Sequence, residues 1–278
     1  MQKSRQLTHI RHGIKKGITT SFIHEQHFPT TNPFVLWEHF TSKSPMNHGL
    51  SFHGHSGIEA ISSPLTGTIL HHDSTQQHHI VKSGDIHMMT SGQGIIHKST
   101  TLPQQSTTES FQLWMALPAA NNNEMCQPKS QLFKKHHLPL VEDNHSTTKV
   151  LVGHYQQHTS PIKSHCKLIL LDIIMTSYST WCFTPPQDYH SCFIYLKSGI
   201  SYSANNKLMP FQMGFFESSS APIIITTTDH SSRFFIACAV PLKQPLITNQ
   251  HSVHSCENNI DKSEVIIKNL METTKKTH

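Results

Sequence analysis

Charge is scarce in this chain. Asp, Glu, Lys and Arg make up 14% of 278 residues, against roughly 25% in an average soluble protein. Only Arg5, Arg11 and Arg233 are arginines, so the bidentate fork that reads bases and clamps phosphates is nearly missing. No basic stripe interleaved with aromatics compensates, which argues against a nucleic-acid partner. Cysteine is sparse too. Cys126, Cys166, Cys182, Cys192, Cys238 and Cys256 form no C-x-x-C pair, and the first 125 residues contain none. A secreted disulfide framework is denser than this, so the six are read as reduced core thiols. Long hydrophobic runs are also absent. The most apolar stretch, Leu168 to Met175, is interrupted by Asp172 and is far too short to span a bilayer. Residues Met1 to Ile18 show no apolar signal segment. These absences point to a cytoplasmic protein with no membrane association. No Walker loop, dinucleotide glycine pattern or Ser-His-Asp order is present, which removes support for nucleotide chemistry and nucleophilic hydrolysis.

What the chain does have is neutral polarity and 25 histidines. Hydrophobic residues reach 36% and recur in short clusters along the whole length, unlike a disordered sequence. The clusters are four to eight residues long and separated by Ser-Pro, Asp-Ser-Thr, Ser-Gly-Asp and Thr-Ser-Gly-Gln-Gly, which is turn chemistry. The spacing predicts strands over 58–61, 67–70, 86–90, 94–97 and 111–117. A second set follows over 150–152, 167–175, 192–196, 212–216, 223–227 and 234–240. Such a series means a sandwich or barrel. The polar segment 121–131 reads as a linker, dividing the chain into a barrel over 1–130 and another over 131–278. Near the end, Val265, Ile266 and Leu270 have helical spacing on one face, predicting a short C-terminal helix packed on a barrel.

The stretch Phe52-His53-Gly54-His55-Ser56-Gly57-Ile58-Glu59 carries the chemistry. Residues two apart on a strand point to one face, so His53 and His55 can meet a single ion. His97, after the turn Gly92-Gln93-Gly94, offers a third imidazole. Three ligands with open positions is the geometry of a working metal site. In a chain so rich in histidine, the alternative is that these are satisfied core or surface residues. The remaining histidines have plainer readings. His71, His72, His78 and His79 flank Asp73-Ser74-Thr75 and are read as the exposed face of a hairpin. His136 and His137 are read as solvated, and His190 and His230 are isolated, so the second barrel is read as metal-free.

The His-Gly-His-Ser-Gly-Ile-Glu stretch, the run Ser83 to His97, and Phe111-Gln112-Leu113-Trp114-Met115-Ala116-Leu117-Pro118 resemble the pirin family in order and spacing. Asn32-Pro33-Phe34 fits as well. The resemblance is strong over residues 30–120 and looser beyond. It implies an all-β bicupin, two jelly-roll barrels in one chain, with the metal in the first. It places His53, His55 and His97 on the family's first three ligands. The fourth ligand, a Glu in the family, falls on Ser99. A hydroxyl is a poor substitute for a carboxylate on a divalent transition ion. Glu59 is an alternative fourth or outer ligand if the chain bends at Gly57. The implied cofactor is a divalent ion, Fe(II) first, with Zn, Ni, Mn and Cu as alternatives. The implied activity is that of a quercetin 2,3-dioxygenase acting on a small flavonol-like aromatic. The competing reading is a regulatory pirin that works through a protein partner, with or without a metal. A monomer is expected in either case, and no catalytic residue is assigned.

Overall fold

The computed structural model describes residues 4–43, 49, 51–102 and 107–277. The chain forms two compact units, each discontinuous in sequence. One comprises residues 1–14, 30–33 and 136–241, and the other residues 15–29, 34–135 and 242–278. A single cut between residues 130 and 131 does not describe this exchange of ends. Strand Leu7–His12 belongs with the later residues because it pairs antiparallel with Gln212–Phe216. The last 37 residues belong with the earlier ones because their helix packs on Ile95–Thr101 and His53–His55.

The first-named unit is a filled barrel. Its seven-stranded sheet runs in the order Leu7–His12, Gln212–Phe216, Ser191–Ser198, Ser232–Ala239, Leu168–Met175, Ser146–Val152 and Leu140–Glu142. A four-stranded sheet of Thr180–Phe183, Ile223–Thr227, Ser201–Ser203 and Asn206–Leu208 accompanies it. Ile169, Leu171, Phe234 and Ile236 from one sheet meet Trp181, Phe183, Ile223 and Ile225 from the other in a single apolar cluster. Leu168–Met175 is buried on both faces except at Ile174. That explains why it reads as a continuous apolar run rather than an alternating one. Asp172 is tolerated there because Arg233 on the neighbouring strand donates to both of its carboxylate oxygens, at 2.9 and 2.7 Å. Arg5 is fully buried and donates to the carbonyls of Glu217, Tyr189 and His190. Two of the three arginines therefore hold this unit together.

The other unit is a hollow barrel. Its seven-stranded sheet runs Lys129–Phe133, Ile86–Thr90, Ile58–Thr66, Thr108–Ala116, Phe34–Ser42, Thr19–Ser21 and Ile14–Lys16. Its four-stranded sheet runs His53–His55, Ile95–Thr101, Thr68–Asp73 and His78–Lys82. The segment expected as a linker is anchored instead. It forms a 3-10 turn over Ala120–Met125. Within it the buried Glu124 accepts hydrogen bonds from the Ser255 amide at 2.7 Å, the Ser255 hydroxyl at 2.6 Å and Asn259 Nδ2 at 2.7 Å. A carboxylate at a helix N-terminus satisfies free amides and opposes the helix dipole. The helix it caps runs Glu257–Thr277. Its packed face carries Ile260, Ser263, Ile266, Ile267 and Leu270, while Val265 is 62% exposed, so Val265 lies off the face on which the spacing placed it. Among the described residues no helix is long and apolar enough to cross a membrane. Cys166, Cys192 and Cys238 are buried as expected, but Cys182 and Cys256 are exposed.

Candidate metal centre

His53 and His55 lie on His53–His55, and His97 on Ile95–Thr101, which pairs antiparallel with it so that His97 stands opposite His53. The three rings come together with centroid separations of 4.9 Å (His53 to His55), 4.4 Å (His53 to His97) and 5.0 Å (His55 to His97). One nitrogen from each lies within 4.8 Å of the other two. Gly54 is required between the first two histidines. A Cβ at that position would lie 2.2 Å from Ile267 Cγ2 of the C-terminal helix, so the helix is seated directly on the His-x-His strand.

The hydrogen bonds orient the rings for ligation. His53 Nδ1 donates to the Ser51 carbonyl at 2.9 Å, and His55 Nδ1 donates to the His251 carbonyl at 2.8 Å. A carbonyl only accepts, so the proton sits on Nδ1 in both rings and Nε2 presents a lone pair. Backbone carbonyls commonly hold metal-binding imidazoles in this way. His55 Nε2 and both ring nitrogens of His97 are buried without a hydrogen-bond partner. Unsatisfied buried polar atoms are costly, and a cation among the three rings would satisfy them. Burial pushes the His55 pKa down to about 3, and the neighbouring His53 and His251 add to the effect, although the His251 carbonyl opposes it. Burial, then repulsion from His55 and His53, likewise holds His97 well below the ordinary imidazole range. Both rings are neutral at physiological pH, the form that binds metals.

The residues fit a divalent ion, yet the fourth position differs from both expectations. Ser99 lines the cavity above the three histidines, but its hydroxyl is within 3.2 Å of His71 Nδ1. Glu59 is not brought to the cluster. Ser56 and Gly57 interrupt the strand, Gly57 at φ +67°, and this resets the alternation. Ala60, Ser62 and Pro64 line the cavity, whereas Glu59 is fully buried and accepts a hydrogen bond from Thr90.

The cavity has a volume of about 780 Å³, within the range of small-molecule pockets. Its apolar wall includes Leu36, Phe40, Ile69, Met89 and Trp114. The Trp114 ring meets His55 edge-on at 4.8 Å.

The structure also gathers residues that the sequence reading placed elsewhere or passed over. The hairpin exists, with Thr68–Asp73 pairing with His78–Lys82. His71 and Asp73 are nonetheless buried, because Ile69, His71 and Asp73 share the inward face of their strand. They meet the buried His87 from Ile86–Thr90. The spacing of His71 and Asp73 two apart, beginning from an apolar Ile69, was the available signal. His251 was also missed. It reaches the site because the C-terminal segment returns to this barrel, where Val253 and the Ser252 side chain bond the backbone at Ser56, and nothing local in the sequence announces that return. His136 and His137 are exposed.

Residues 15–115 match the family model described as Pirin. The chain is 26% identical over 235 residues to Pirin-1 of Arabidopsis thaliana, covering 83% of this chain and 79% of that protein. Among solved structures it is similar to a quercetin 2,3-dioxygenase from Acinetobacter baumannii, with a TM-score of 0.86, 18% identity and coverage of 94% and 96% of the two chains. It is also similar to the bacterial pirin YhhW of Escherichia coli in complex with nickel(II), with a TM-score of 0.64, 17% identity and coverage of 87% and 100%. Residues 15–115 therefore carry a match to the Pirin domain, and over most of its length the chain is similar to pirins in sequence and to pirin and quercetin 2,3-dioxygenase structures in fold.

Proposed function

We propose that this chain is a metal-dependent pirin of the quercetin 2,3-dioxygenase type. In this reading His53, His55 and His97 hold a divalent ion, Fe(II) first and Zn, Ni, Mn or Cu as alternatives. The cavity takes a planar, hydroxylated, flavonol-like aromatic for ring opening by O2. The carrying observation is the set of three convergent imidazoles, two of them with unpartnered buried nitrogens, at one wall of an apolar cavity of about 780 Å³. The likenesses to a quercetin 2,3-dioxygenase and to a nickel-bound pirin support it.

A bound ion supplies Lewis acidity toward a substrate oxygen. The chain's own residues do the rest. The carbonyls at Ser51 and His251 fix the ring orientation of His53 and His55. Leu36, Phe40, Met89 and Trp114 exclude water and accept a flat ring. His71 lines the same cavity and hydrogen-bonds through Nε2 to Asp73 at 2.9 Å. Burial raises the Asp73 carboxyl, but hydrogen bonds from His71, Thr75 and Ser130 outweigh it and hold the group below the usual carboxylate range. Asp73 is therefore anionic and fixes the His71 ring at the cavity wall.

One observation favours a second reading, a regulatory pirin with a protein partner. Ser99 stands where the family has a carboxylate, and regulation asks no chemistry of it. The sparse cysteines, with no C-x-x-C pair and none in the first 125 residues, suit a reducing compartment, and the cytoplasm is the proposed location under both readings. The deciding experiment measures metal in protein purified without added metal, in wild type and His55→Ala, followed by O2 uptake with quercetin. Stoichiometric metal lost in the variant, with flavonol-dependent O2 uptake, supports the oxygenase. Metal without uptake supports the regulator, and no metal after reconstitution defeats the site.

A further inference from the structure

We propose that His71, Asp73 and His87 form a second divalent-metal site in the same barrel, filled independently of the three-histidine site. All three side chains are buried, and one donor atom from each lies within 4.8 Å of the others. The His71 and His87 rings approach to 3.9 Å between centroids. His71 Nε2 is 2.9 Å from Asp73 Oδ2, and His87 Nε2 is 2.9 Å from the Ser130 hydroxyl. Ligands of a four-coordinate ion with metal–nitrogen bonds of about 2.05 Å stand roughly 3.3 Å apart, so small side-chain adjustments place an ion among these atoms.

A fourth donor stands beside them. His79, paired across the hairpin with His71, has its ring 5.4 Å from that of His87, and its Nε2 is buried without a hydrogen-bond partner. An unpartnered buried nitrogen next to a carboxylate and two imidazoles is hard to explain as a finished hydrogen-bond network. Two imidazoles and one carboxylate form a donor set for a first-row transition ion rather than for Mg²⁺ or Ca²⁺. His71 and His87 line the main cavity, which gives the ion a route in. The His71 ring lies 5.2 Å from that of His97, so the two sites are neighbours along one wall.

The test titrates chelator-treated protein with Co(II) alone. Bound metal is counted by mass spectrometry in wild type, His55→Ala, His87→Ala and the double variant. The expected counts are two ions per chain, one, one and none, with Asp73→Asn weakening the second ion by about tenfold or more. A wild-type count of one that His55→Ala abolishes overturns the second site and leaves the three-histidine site standing. A count of one that persists in His55→Ala and vanishes in His87→Ala supports the second site and removes the first. A wild-type count of zero overturns the proposal. Should His87→Ala fail to fold, the His55→Ala count decides: one ion supports the site and none overturns it.

Discussion

Trp181, Phe183, Ile225 and Phe234 meet inside one barrel, where the other holds His53, His55, His71, His87 and His97 around open space. The sheet sizes are the same in both, seven strands and four. The filled interior derives its stability from apolar area removed from water. The hollow one gives up much of that area and carries buried imidazoles whose nitrogens lack partners. Its stability is recovered at the edges: Glu124 caps the C-terminal helix, and Ile267 covers Gly54. Equivalent architecture therefore holds an apolar core in one unit and a histidine-lined cavity in the other, according to what lines the interior.

Acid should separate the halves most strongly. In metal-free protein, the unfolded chain protonates His55 below about pH 6.5, while the folded chain keeps it neutral down to about 3. The unfolded state binds more protons throughout that window, so folding stability falls as pH falls from 6.5 toward 3. His87 and His97 act in the same direction. The loss is on the order of a few kcal/mol. Hydrogen exchange read peptide by peptide should show residues 53–101 opening before residues 168–239. Simultaneous opening would break the comparison.

Phe234→Ala attacks the filled barrel. It removes a fully buried ring that packs edge-on against Trp181 at 5.8 Å and should cost about 3–5 kcal/mol. Denaturant unfolding measures the loss, and the metal content of the hollow barrel should be unchanged. Gly54→Ala attacks the hollow barrel by driving a methyl into Ile267. The expected cost is about 1–3 kcal/mol, together with weaker Co(II) binding because the His-x-His strand shifts. Normal metal binding in that variant would show that the helix does not position the ligands.

Smaller changes sharpen the site. Ser99→Ala deletes the hydroxyl beside His71 and should cost about 0.5–1.5 kcal/mol while leaving metal at His53, His55 and His97 intact. Loss of that metal would make Ser99 a ligand. Val265→Lys, on the exposed side of the C-terminal helix, should stay within about 0.5 kcal/mol of wild type by thermal melting. A larger effect would mean that this face packs against something.

Local pattern accounts for most of what was legible. Strands were placed within a few residues of Ile58–Thr66, Ile86–Thr90, Ile95–Thr101, Gln212–Phe216 and Ile223–Thr227, because turn residues and short apolar runs are local signals. His53 and His55 could be put on one face for the same reason. Glu59 could not be followed past Gly57, since one turn resets a period of two. His71 was misread because exposure depends on which sheet covers a hairpin, and hairpin residues look alike whether covered or bare.

The sequence by itself determined two all-β barrels, a His-x-His strand and a third histidine behind a glycine turn. Each of these rests on neighbours within a few residues. Only the tertiary structure decided that the ends of the chain exchange units, that the His251 carbonyl orients His55, and that His71, Asp73 and His87 converge. Those facts depend on strand pairing and packing between residues tens to hundreds of positions apart, and no local periodicity encodes such distances.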